Sequence, residues 1–374
     1  MKFSDLPTPC YVIDEKKLMQ NLKILHQLQE DAGCKILLAQ KAFSAFCVYP
    51  LISESLSGTT ASGLYEARLG HEEMGGETHI YAPAYRAEDI EEIASICSHI
   101  SFNSFAQFEK YKSFCKNNSL GIRINPECST QGERSIYDPC APGSRLGVRA
   151  EDFPDKLPGE IEGLHFHTLC EQNADALAVT LSAVEEKFGK YLHAVKWLNM
   201  GGGHHITRAD YDLPLLKDCI CRMKEKYKVE IYLEPGEAVA LNAGYLTAKV
   251  LDIVKNGDVT NLILDASAAC HMPDVLEMPY RPPLKDADMP GERKYTYRLS
   301  SYTCLAGDII GDYSFDKEIH IGDRLCFEDM AIYSMVKNNT FNGIPLPSIA
   351  VMRADRNCDV IKTFGYADFK SRLS

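Results

Sequence analysis

The stretch Val195-Lys196-Trp197-Leu198-Asn199-Met200-Gly201-Gly202-Gly203-His204-His205 joins a short apolar run to three consecutive glycines. Val195–Asn199 reads as a strand. The glycines that follow expose successive backbone N–H groups with no Cβ in the way, a nest suited to a phosphate. No GKS or GKT accompanies them and no GxGxxG occurs, so the pattern is not a nucleotide P-loop. Seven further runs resemble the first: Lys35–Gln40, Gly58–Ser62, His79–Ala82, Ile100–Asn103, Gly121–Asn125, Gly163–His167 and Glu230–Glu234. Helical periodicity fills most of the intervals. Leu18, Leu22, Leu25 and Leu28 share one face, as do Phe105, Phe108, Tyr111 and Phe114. Eight strands with helical crossovers over roughly 250 residues predict a closed (β/α)8, TIM-like barrel. An open doubly wound sheet is the alternative, but the unbroken alternation favours closure. The polar insert Glu127–Gly143 reads as a loop on one barrel face.

The pattern changes after Pro235. Tyr245–Val254, Asn261–Asp265, Lys294–Leu299, Arg324–Phe327 and Ser348–Arg353 read as strands without long helices between them, and Pro279–Pro290 as a loop. A β-rich second domain follows, and Cys10–Ile13, ahead of the barrel, is a candidate to join its sheet. The expected organisation is α/β: a barrel over 14–240 and a β-rich domain over 241–374 completed by residues 1–13. The 374-residue length fits that division.

A formal charge of −12, from 40 Lys and Arg against 52 Asp and Glu, disfavours a nucleic-acid or anionic-membrane partner. It leaves room for an acidic pocket that takes a cation. No stretch approaches the ~20 apolar residues of a membrane span. The 14 cysteines are scattered and form no CxxC pair; Met1–Pro9 is polar and lacks an apolar segment of the secretory kind. Buried free thiols in a reducing cytoplasm are expected.

Barrel enzymes build their sites at the C-terminal ends of the strands. Lys41 follows Ile36-Leu37-Leu38-Ala39, where desolvation lowers an amine pKa and frees it as a nucleophile. His165 and His167 flank Phe166 on an extended segment and so face one side. They suit either a metal, as in barrel hydrolases, or flat contact with an aromatic ring. Glu234, before Pro235-Gly236, places a carboxylate where it can keep a pyridine nitrogen protonated. An amine nucleophile, a phosphate cradle, a carboxylate and a flat imidazole together match one cofactor, pyridoxal 5′-phosphate.

On these motifs the chain resembles, along essentially its full length, the alanine-racemase-like (fold type III) pyridoxal-phosphate decarboxylases. That family includes enzymes for diaminopimelate, ornithine and arginine. The resemblance is greatest to the branch that converts carboxynorspermidine and carboxyspermidine to norspermidine and spermidine. It implies that Lys41 in Ala39-Gln40-Lys41-Ala42 is the Schiff-base lysine and His167 the ring-stacking histidine. Gly201, Gly202 and Gly203 would bind the phosphate and Glu234 the pyridine nitrogen. Tyr333 in Asp329-Met330-Ala331-Ile332-Tyr333 and Arg145 in Ser144-Arg145-Leu146-Gly147 would stand near the cofactor. Cys304 and Asp308 in Thr303-Cys304-Leu305-Ala306-Gly307-Asp308 match a motif lent across a homodimer interface, with Cys304 as a catalytic proton donor. The chain departs from the family after Glu234-Pro235-Gly236, where Glu237 replaces an arginine that touches the phosphate. Glu237, Asp274 and Asp308 are therefore expected to meet the ammonium groups of a polyamine. Three other readings stand beside this one: a diaminopimelate, ornithine or arginine decarboxylase of the same family, a non-enzymatic pyridoxal-phosphate carrier, and a metal hydrolase using His165 and His167.

Overall fold

A computed structural model describes residues 1–132 and 135–374, and the chain divides into two compact units, 21–239 and 1–20 with 240–374. The division falls inside the helix α1 (Glu15–Ala32), whose Leu18, Leu22, Leu25 and Leu28 are all buried. The first strand, β1 (Cys10–Asp14), belongs to the second of these units.

Eight parallel strands close the barrel of the 21–239 unit: β2 (Lys35–Ala39), β3 (Gly58–Ala61), β4 (Glu77–Tyr81), β5 (His99–Phe102), β6 (Ser119–Arg123), β7 (Ile161–His165), β8 (Trp197–Asn199) and β9 (Glu230–Leu233). Each lies within a few residues of an apolar run in the sequence. Parallel strands buried on both faces need such runs, because the barrel lumen and the outer helices both exclude water. Inside the lumen Trp197 packs with Leu37 and Tyr232. Its ring occupies the space where a Cβ on Gly163 would lie, 2.0 Å away, and one on Gly121, 2.3 Å away. One large side chain opposite two glycines fills the layer.

The crossover helices begin where side chains satisfy their free N–H groups. Ser104 accepts from Gln107 N at 3.1 Å, Asn173 from Ala174 N at 2.8 Å and Asp212 from Leu215 N at 3.0 Å. The helix after β5 stops at Tyr111, so Phe114 lies beyond it and is exposed. The insert 127–143 contains residues 133 and 134, which lie outside the described residues. Its Gln131 amide donates to Thr168 O at 2.9 Å and Gln172 Oε1 at 2.7 Å, which ties the insert to the segment after β7.

The other unit is a mixed sheet. It adds β10 (Gly244–Asn256), β11 (Val259–Leu264), β12 (Tyr295–Ser301), β13 (Ile309–Phe315), β14 (Arg324–Glu328), β15 (Ser348–Met352) and β16 (Cys358–Lys362). The order is β13-β12-β11-β10-β1-β15-β16, with β14 also paired to β10. β1 is central: it runs antiparallel to β10 and parallel to β15. Its core includes Tyr11, Leu246, Leu262, Leu299, Tyr313 and Phe327. β13 and β16 are two strands the sequence pattern does not announce.

Candidate active site

Lys41, Tyr81, Arg123, His165, His167, Gly202 and Glu234 line one cleft at the C-terminal ends of the barrel strands. Ala39, Thr60, Ala61 and Ser62 complete its wall.

Lys41 follows β2, lines this cleft and is itself exposed. Desolvation, reinforced by the Arg123 guanidinium, lowers the pKa of its amine, while Glu234 and Glu66 oppose the shift. The lowered value favours the neutral, nucleophilic form. Burial also holds the His167 imidazole well below its usual pKa, with Lys41 and Arg123 adding to the effect. His167 is therefore neutral, and its Nδ1 accepts a hydrogen bond from Gly202 N at 2.8 Å. That bond assigns the other ring nitrogen as the protonated one.

Glu234 follows β9. Burial would favour its protonated form, but the neighbouring His165 imidazole and the Asn199 amide outweigh burial and keep the carboxyl well below its usual range. Asn199 Nδ2 donates to Glu234 Oε1 at 2.7 Å, and His165 Nε2 lies 3.5 Å from Glu234 Oε2. His165, the last residue of β7, stands edge-on to Tyr81, with ring centroids 5.3 Å apart.

The glycine turn is built for close approach. A Cβ on Gly202 would lie 2.3 Å from Glu234 O, one on Gly201 2.4 Å from Phe166 O and one on Gly203 1.9 Å from Leu169 O. Gly201 and Gly203 also have φ of +69° and +82°. Only glycine meets both demands, which leaves a bare backbone turn for an anion to approach.

Arg123 is a site residue that the sequence reading does not single out. It ends β6, is buried, stacks its guanidinium 4.5 Å above the Tyr81 ring and donates to His167 O at 3.1 Å. Its signal was available: a lone charge inside the apolar run Gly121-Ile122-Arg123-Ile124. Arg145, expected near the site, has an exposed side chain; its backbone carbonyl accepts from Asn103 Nδ2 at 2.9 Å. Glu237 is not among the cleft residues. It opens a short helix, Glu237–Ala240, with its carboxylate 3.2 Å from His205 Nε2. His204 is buried, which pushes its pKa down to about 4.

In the β-rich unit Cys304 is exposed, and its backbone N–H donates to Asn342 Oδ1 at 2.7 Å. Asp308 is buried and accepts from Ser267 Oγ at 2.6 Å, Thr303 Oγ1 at 2.5 Å and Ala269 N at 3.1 Å. Asp274 is ion-paired with Lys337, which also meets Glu277. Tyr333 is half-buried in a left-handed conformation with φ of +50°.

A different cluster sits at the N-terminal ends of β4 and β5. Glu77, His79 and His99 bring possible ligand atoms within 4.8 Å of one another. Glu77 is already paired with Lys35 at 2.6 Å, so the cluster carries its own cation. His165 and His167 are not part of such a group among the described residues. All fourteen cysteines are free. No helix among the described residues is long and apolar enough to cross a membrane.

Residues 10–331 match the family described as pyridoxal-dependent decarboxylase, C-terminal sheet domain. The chain is 43% identical to a carboxyaminopropylagmatine decarboxylase of Synechocystis sp. over 375 residues, covering 100% of this chain and 97% of the relative. It is likewise 43% identical to a carboxynorspermidine/carboxyspermidine decarboxylase of Campylobacter jejuni over 383 residues, covering 100% of both. The crystal structure of carboxynorspermidine decarboxylase from C. jejuni, complexed with norspermidine, superposes with a TM-score of 0.92 at 43% identity, covering 98% of this chain and 100% of that one. Family match, full-length relatives and barrel geometry agree: the chain belongs to the pyridoxal-dependent decarboxylases.

Proposed function

We propose that the chain decarboxylates carboxylated polyamines, carboxynorspermidine and carboxyspermidine, to norspermidine and spermidine. The observation that carries the proposal is one cleft holding Lys41, His167, Gly202 and Glu234 in a chain 43% identical to an enzyme of that name. The residues fit pyridoxal phosphate: a bare glycine turn for its phosphate, a neutral-leaning amine for its aldehyde and an ionised carboxylate for its ring nitrogen. The cofactor supplies an electron sink for the pair left behind when the carboxyl group departs. Lys41 is the residue that would hold it covalently. His167, neutral and oriented by Gly202, would lie against its ring. Glu234 would keep the ring nitrogen protonated, and Arg123 would set the positive charge of the cleft, next to Lys41. Tyr333 and Arg145 are proposed to approach the cofactor, and the turn Gly201–Gly203 to admit the phosphate where the family's arginine is missing, with Gly203 N–H as the donor, since the Gly201 and Gly202 N–H groups are donated to Asn199 and His167.

The substrate's ammonium groups call for acids. Glu237 and Asp274 are proposed as their partners, with His205 and Lys337 holding those carboxylates in place. The buried Asp308 is proposed to serve the same end, and its three hydrogen bonds also fix the turn that presents Cys304. The exposed Cys304 thiol, from a second copy of the chain, would return a proton to the substrate Cα. The protein would then be a homodimer in a reducing cytoplasm, a setting the free thiols fit.

A second reading has equal support in sequence. The Synechocystis relative names a substrate whose far end is a guanidinium rather than an ammonium. CO2 release from purified protein, measured across carboxynorspermidine, carboxyspermidine, carboxyaminopropylagmatine, diaminopimelate, ornithine and arginine, decides. The expected result is the highest kcat/KM on the first two. Preference for carboxyaminopropylagmatine would move the assignment to the second reading, and preference for an amino-acid substrate would overturn both.

A further inference from the structure

The strand register places His165 beside Asn199 and Asn199 beside Tyr232, two residues before Glu234. Asn199 is 2% exposed, and both ends of its amide are engaged. Nδ2 donates to Glu234 Oε1 at 2.7 Å, while Oδ1 accepts from Gly201 N at 2.8 Å. The backbone closes the same loop, because Glu234 N donates to Gly201 O at 2.7 Å. One side chain thus joins the buried carboxylate to the first glycine of the turn.

We propose that Asn199 is a positioning residue that sets the carboxylate of Glu234 and the glycine turn at a fixed separation, so that both ends of the bound cofactor are located by one amide. This rests on the assignments of Glu234 to the ring nitrogen and Gly201–Gly203 to the phosphate. The chemistry requires a planar group with one donor and one acceptor. An aspartate would set a second carboxylate against Glu234 at hydrogen-bond distance, and like charges so close cannot both stay ionised. A serine is too short to serve both partners. Burial makes either failure costly, since an unmet Glu234 oxygen or Gly201 N–H loses its bond to water as well.

The test is a double-mutant cycle on the full chain: Asn199→Asp, Glu234→Gln and the pair together. Affinity of the apoprotein for pyridoxal phosphate and the pH titration of the bound cofactor's visible absorption are the readouts, with thermal melting as a check on folding. Asn199→Asp alone should weaken the cofactor about tenfold or more and shift the absorption titration. Glu234→Gln in the same chain reverses the polarity of the hydrogen bond, so the introduced carboxylate accepts where the Asn199 amide donated. The pair should therefore bind the cofactor more tightly than Asn199→Asp alone. Effects that simply add, or an unshifted titration in Asn199→Asp, would overturn the positioning role. An unchanged titration in Glu234→Gln would instead overturn the assignment of Glu234. Should Asn199→Asp fail to accumulate, Asn199→Ser is read the same way: a shifted titration supports the proposal and an unshifted one overturns it.

Discussion

Replacing Gly203 by alanine tests the glycine turn at its tightest point. At φ of +82°, an L residue pays the left-handed penalty of roughly 1–2 kcal/mol. The new Cβ would also stand 1.9 Å from Leu169 O and 2.2 Å from Leu169 C, more than 1 Å inside contact distance. Backbone atoms cannot rotate aside, so the turn must separate from the segment after β7. Two backbone hydrogen bonds beside Gly203 join those pieces, Gln172 N to Gly203 O at 3.0 Å and His205 N to Gln172 O at 3.2 Å. Weakening both costs about 1–3 kcal/mol more. The total, roughly 2–5 kcal/mol, should appear as a lower melting temperature and as a pyridoxal-phosphate Kd raised at least about tenfold. Absorbance titration of the apoprotein measures the second quantity. Gly159→Ala is the matched control, on an exposed loop where an added Cβ meets nothing within 4 Å. Gly203→Ala protein that melts and binds cofactor like Gly159→Ala would show that neither the left-handed backbone nor the contact with Leu169 O constrains this turn.

Three further outcomes follow from the barrel and its site. Trp197→Ala should destabilise the protein by about 3–5 kcal/mol in denaturant titration followed by circular dichroism, because no side chain on Gly121 or Gly163 can fill the space; a loss below about 1 kcal/mol would contradict the lumen packing. Burial and the adjacent His79 push the His99 pKa down to about 3, and the bonds Glu77 makes to His79 and Lys35 outweigh its burial and bring it down to about 2. Both values lie below those of the unfolded chain, so the stability they confer is complete above about pH 6.5 and is lost as pH falls towards 2. Urea midpoints read from the fluorescence of Trp197, the single tryptophan, should be flat from pH 8 to about 6.5 and fall below it; a flat profile down to pH 4 would sink this account. Finally, Glu234→Gln should lower kcat on the order of 10²-fold with KM little changed, since it removes a charge that acts on the reacting state; an equal kcat would contradict that role.

The barrel was legible because most of its strands carry a buried apolar run and their crossovers repeat, although β3 and β4 also bury Thr59, Thr60, Thr78 and His79. The sheet of the other unit was less so. β13 carries Gly311 and Asp312 in its middle and pairs with β12 through a register shift, which breaks the alternation that marks a strand. β16 is a short edge strand whose inner face is only Cys358 and the half-buried Val360, while the exposed Ile361 beside them breaks the alternation. Within the cleft, Lys41, His167 and Glu234 could be read because each ends an apolar run. Arg123 shows as a lone charge in an apolar run, but neither it nor Asn199 shows in sequence which groups it faces. A polar residue at a strand end reads equally well as a turn, and only the register of β6 to β9 shows which neighbours it meets. Glu237 and Asp274 show the converse limit: their charges are visible in sequence, whereas the pairing with His205 and Lys337 depends on the folded chain.

The central claim is that Lys41 carries the cofactor of a decarboxylase. Borohydride reduction of the holoprotein, followed by peptide mapping in a mass spectrometer, reads this directly. A pyridoxyl-phosphate group is expected on the peptide containing Lys41, and none on Lys41→Ala protein treated the same way. A label on a different lysine, or no label on protein that releases CO2 from its substrate, would contradict it.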